Sequence, residues 1–73
     1  MPINKNNSVA IYEQCQKSIQ ELNQLLLNLK SELDEDDFVK VRLSIAGAMG
    51  ELVNTCEEHV YNQFPEMRPY KLG

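Results

Sequence analysis

Two apolar ladders, read in opposite directions along the chain, share one register. The first is Tyr12, Cys15, Ile19, Leu22, Leu26, Leu29 and Leu33, and the second is Phe38, Val41, Ile45, Met49, Leu52, Cys56 and His59. Both advance in alternating steps of three and four, the spacing that keeps side chains on one stripe of an α-helix. Folded back on itself about the point between Glu35 and Asp36, the sequence sets Leu33 against Phe38, Leu26 against Ile45, Leu22 against Met49, Ile19 against Leu52, Cys15 against Cys56 and Tyr12 against His59. Only Leu29 and Val41 miss, by one position. The pattern predicts an all-α fold: an antiparallel two-helix hairpin.

Local signals set expected boundaries. Residues 1–7 are polar and read as a flexible lead. Ser8 is a natural N-cap, because its hydroxyl accepts a bond from an orphan backbone N–H. The first helix is expected over about 9–33, and the second over about 36–64. The hairpin domain thus spans 8–64. Between the helices lies the acidic run Glu32 to Asp37. Asp34 or Asp36 is placed to cap the second helix, and the acids beside them suit the positive end of its dipole. Pro65 stops the helix and leaves a tail, 65–73, which either wraps back on the bundle or stays loose, and in which Met67, Tyr70 and Leu72 with Arg68 and Lys71 form a short motif able to dock in a groove.

A hairpin of 73 residues is near the lower limit for a self-sufficient core. The second helix carries a further ladder, Val39, Leu43, Ala46, Gly50, Val53, Val60 and Phe64, broken only by Glu57. A helix with two adjacent apolar seams is to be covered on two sides. Gly47 and Gly50 each cost roughly 1 kcal/mol relative to alanine in a helix, a cost that close approach at a helix crossing would offset. They could also serve packing within the hairpin, or a kink. Val39 with Val60, and Ala46 with Val53, are equidistant from a point beside Gly50, as an isologous interface requires. The expectation is an antiparallel homodimer, two hairpins in a four-helix bundle about a two-fold axis near Met49 and Gly50, with those seven seam residues at the interface.

Cys15, Cys56 and His59 are the candidates for chemistry. Two thiols and an imidazole make a partial zinc set, one ligand short of a closed site, which Glu13, Glu57 or Glu58 would have to supply. The plainer reading makes both cysteines small core residues and puts His59 beside Tyr12 at the bundle end. No orienting group suggests a reactive thiol, so an enzyme is not expected, and no cofactor is implied. The acidic run lacks the alternation of a calcium loop.

Net charge −4, with seven dispersed basic residues, argues against nucleic acid. No apolar run approaches the ~20 residues of a membrane span, and the polar start offers no signal-peptide core. A cytoplasmic setting is expected, with thiols rather than a disulfide. These features fit a small non-catalytic interaction module that self-associates and meets an unidentified protein partner, in an adaptor, inhibitor or immunity-type, or chaperone-like role. The alternatives are a subunit of a hetero-oligomeric complex, and a metal- or redox-responsive bundle built on Cys15, Cys56 and His59.

Overall fold

The computed structural model describes residues 2–68. Two helices dominate it, α1 over Lys5–Lys30 and α2 over Glu35–Cys56. A π-helical turn, Glu57–Tyr61, continues α2, and a 3₁₀ turn, Pro65–Met67, follows. The described residues are all-helical and form a hairpin.

Helix α1 starts earlier than Ser8 suggests. Asn4 is the N-cap: its side chain accepts from the Asn7 N–H at 2.8 Å, and the Asn7 side chain accepts from the Asn4 N–H at 3.3 Å. This reciprocal capping box satisfies two otherwise orphan donors, so residues 5–7 are helical rather than a loose lead. Ser8 lies inside the helix, buried, and its hydroxyl donates to the His59 carbonyl at 3.4 Å. At the other end α1 stops at Lys30, and the N–H groups of Glu32 and Leu33 both bond the Leu29 carbonyl at 3.0 Å. Leu33 therefore sits in the turn, half-buried, and not on the helix. Asp34 occupies the N-cap position of α2 without a side-chain cap bond. Glu35, Asp36 and Asp37 fill the first turn, where the dipole favours them.

Both primary ladders form the facing stripes. Ile19, Leu22, Leu26, Leu29, Phe38, Val41, Ile45, Met49 and Leu52 are all half-buried, and Cys15 and Cys56 are buried. The ladder fails only at its last rung. His59 is exposed, and Val60 takes its place with no accessible surface. The cause is the π turn, in which the Asn62 N–H bonds the Glu57 carbonyl at 3.1 Å. One extra residue in a turn displaces everything downstream by one position, so Val60 and Phe64 continue the stripe begun by Cys56.

The buried cluster lies at the open end of the hairpin. Cys15, Cys56, Val60 and Tyr61 form it, with Ile11, Tyr12, Leu52 and Met67 packed around them. Tyr12 meets Tyr61 edge-on, ring centroids 6.2 Å apart, where the ladder had paired it with His59. Residues 65–68 fold back over this end. Lys5 pairs with Glu66 and lies 5.2 Å from the Phe64 ring centre. Arg68 pairs with Glu57 and lies 5.3 Å from the Tyr61 ring centre.

The whole is a single layer. Its shortest dimension is 15 Å, little more than the 10–12 Å width of one helix with its side chains. The radius of gyration is 15.1 Å, against about 11 Å for a compact chain of this length.

The shifted last rung has a direct check. Val60→Ala is expected to cost about 2 kcal/mol in chemical denaturation, while His59→Ala changes stability by less than about 0.5 kcal/mol. The reverse order would mean that the α-helical register runs uninterrupted through His59.

Candidate functional site

The apolar seam of α2 divides in two. Val39, Leu43, Ala46, Gly50 and Val53 face solvent, Leu43 with 64% and Val53 with 54% of its surface exposed. Val60 and Phe64, the last two residues expected on this seam, are not on it. The π turn rotates them onto the hairpin's own core, where Val60 is buried and Phe64 half-buried. Glu57, the charged break in the ladder, is bound by Arg68 of the same chain. What remains exposed is a strip from Val39 to Val53, about 21 Å long at 1.5 Å per residue.

The glycines on and beside this strip have no close neighbour among the described residues. A Cβ built at Gly47 or at Gly50 would meet nothing within 4 Å. Neither has a positive φ, so no backbone conformation demands glycine. Close packing of α1 against them is thereby excluded. Leu27 of α1, 66% exposed, belongs to the same broad face: helical periodicity sets it about a quarter-turn from the α1 stripe, on the side that carries the α2 seam. Leu25 is also exposed, and lies on the opposite side.

The area of the chain makes the same point quantitatively. Its accessible surface is 5659 Å², against about 4,600 Å² for a compact folded monomer of its mass. Roughly 1,000 Å² more than a compact fold would leave is exposed. Covering α2 on a second side is not done by any described residue of the hairpin.

The two thiols do meet. Cys15 and Cys56 are free, buried and members of one core cluster. Burial foremost, and then the neighbouring Cys15 thiol, pushes Cys56 up to about 11. Burial raises the Tyr61 hydroxyl as well, with Cys56 and Tyr12 adding to the effect. His59 does not join the cysteines: it is exposed and lies 3.8 Å from the Glu58 carboxylate. The zinc set imagined from Cys15, Cys56 and His59 is therefore not assembled, and the π turn is again the reason. Among the described residues no three His, Cys, Asp or Glu side chains gather closely enough to hold a metal.

Two further features complete the surface. Near the turn a partly open depression is lined by Lys30, Leu33, Glu35, Phe38, Val39 and Arg42. The acids from Glu32 to Asp37 are otherwise exposed. Of the tail motif, Met67 packs on the core and Arg68 is engaged by Glu57, while Tyr70, Lys71 and Leu72 lie outside the described residues. No helix among the described residues is long and apolar enough to cross a membrane.

Reading the ladders missed the core roles of Tyr61 and Met67 and the buried Ser8. A signal was present: Val60 and Tyr61 are both apolar and follow His59 directly, and Phe64 lies four beyond Val60. No protein-family model, curated protein or solved structure matches the chain.

The thiol pair sets an alkaline limit on stability. A folded-state Cys56 value of about 11 against an ordinary 9.0 means that folding favours the neutral thiol. Its contribution is complete below pH 9.0 and disappears as pH rises through about 11. Denaturation midpoints are expected to fall across that window in the native chain, and to fall less in Cys56→Ala. Alkylation of Cys56 at pH 8 should also run well below the rate of a free thiol.

Proposed function

We propose that this chain is a small, non-catalytic protein–protein interaction module whose exposed α2 seam is covered by another helical surface, in the first instance that of a second copy. The supporting observation is the strip Val39, Leu43, Ala46, Gly50 and Val53, apolar and open to solvent along its length. Exposed apolar residues scattered singly are ordinary, but a continuous ladder flanked by polar positions marks an interaction site. A one-layer hairpin whose buried cluster is four residues at one end has little to hold it folded alone. Two such layers, stacked seam to seam, make a four-helix bundle, which is the least elaborate way to supply the missing core.

A binding role fits the rest of the surface better than catalysis does. Cys56 is buried and its thiol is pushed up to about 11, whereas a reactive thiol needs partial exposure and a lowered value. With a net charge of −4, the outer faces suit a protein partner rather than nucleic acid. An adaptor, an inhibitor of the immunity type or a chaperone-like protein would each use such a bundle.

Light scattering coupled to size exclusion tests the reading, with twice the chain mass expected at micromolar concentration. Gly50→Leu should shift the native chain toward monomer at least tenfold in dissociation constant, corresponding to about 1.4 kcal/mol, while circular dichroism stays helical. A well-folded monomer would refute self-association. A poorly helical or aggregating chain that orders only with a different protein would assign the seam to a hetero-oligomer instead.

A further inference from the structure

We infer that two copies dock α2 against α2 in antiparallel fashion, about a two-fold axis passing between Ala46 and Gly50, so that Ala46 of each chain lies on Gly50 of the other and Leu43 on Val53. The inference rests on the self-association proposed above and specifies its geometry.

The sequence pattern by itself puts the axis nearer Gly50, because it counts Val60 as a seam residue that mirrors Val39. The structure removes Val60 into the hairpin core. The strip that is left has its small residues, Ala46 and Gly50, in the middle and its bulky ones, Leu43 and Val53, equidistant outside them. Helices approach most closely where they cross, so the crossing belongs at the small pair, where a Cβ at Gly50 would meet nothing of its own chain. Leu43 and Val53 then close the layers on either side. Small thus faces small at the crossing, where the backbones come closest, and large faces large on either side of it.

Charge selects the antiparallel orientation. A parallel pair would align Glu35, Asp36 and Asp37 of one α2 with the same three carboxylates of the other, and would align the two helix dipoles. The antiparallel pair carries each acidic first turn toward the second copy's π-turn end. That end is of mixed charge: Arg68 and Lys5 pair with Glu57 and Glu66, and Glu58 lies exposed beside His59. The exposed Leu27 extends the same face onto α1, so the docked hairpins also gain contact beyond α2.

Oxidative cross-linking of mixed single variants decides the arrangement, with the native chain as control for the buried Cys15 and Cys56. A mixture of Leu43→Cys and Val53→Cys chains is expected to give the mixed disulfide dimer, and neither variant alone should link. In a parallel dimer each variant would link to itself and the mixture would not, which would overturn the orientation while leaving self-association intact. Lys40→Cys, exposed and off the strip, gives a second reading where seam substitutions weaken the dimer. Spin labels there should be separated by about 24 Å along the helix axis in the antiparallel pair, against none in the parallel one. A native chain that scatters as a monomer would remove both this geometry and the self-association beneath it.

Discussion

Two helices side by side enclose nothing. Each offers one stripe to the other, and water reaches the contact from both faces of the layer. The 15 Å thickness of this hairpin is the geometric statement of that limit. It explains why nearly every ladder residue is only half-buried, and why the large apolar residues of the second seam find no cover among the described residues. Apolar burial is the principal favourable term in folding. A chain that leaves this much of it unused has a second folding step available in association. The proposed interface and the hairpin's stability are thus one physical question.

The chain closes one end of the layer by itself. There the π turn brings Val60 and Tyr61 over Cys15 and Cys56, and Ser8 has a side chain small enough to sit beneath the turn and hydrogen-bond its His59 carbonyl. The 3₁₀ turn lays Met67 across the cluster. Two ion pairs, Lys5 with Glu66 and Arg68 with Glu57, tie that return to both helices. Their charged groups are substantially exposed, so they fix position more than they add stability. The same turn that completes this end shortens the seam, because a residue can face the hairpin core or a partner but not both. Local helical register therefore governs where any interface begins and stops.

The thiol pair gains its character from the same arrangement. Cys15 and Cys56 share one buried cluster because the ladders face each other at that level, and burial there pushes the Cys56 thiol up. His59 stays outside because the extra residue of the π turn carries it past the stripe. A histidine three positions after a cysteine shares its helical face only while the helix remains α.

Periodicity in the sequence determined the all-helical hairpin, the facing stripes from Ile19 to Leu29 and Phe38 to Leu52, the meeting of the two cysteines, and the existence of a second seam on α2. These depend on the recurrence of apolar side chains every three and four residues, which needs no knowledge of distant contacts. The helix start at Asn4, the withdrawal of Val60 and Phe64 from the seam, the exclusion of His59 and the idle space beside Gly50 were decided only in the tertiary structure. Each turns on a competition between neighbours: Asn4 against Ser8 for the cap, His59 against Val60 for the last rung. Such contests are settled by what the opposite helix offers at that level. A small buried Ser8 and an edge-on Tyr12 favour the valine, and the backbone inserts one residue to deliver it.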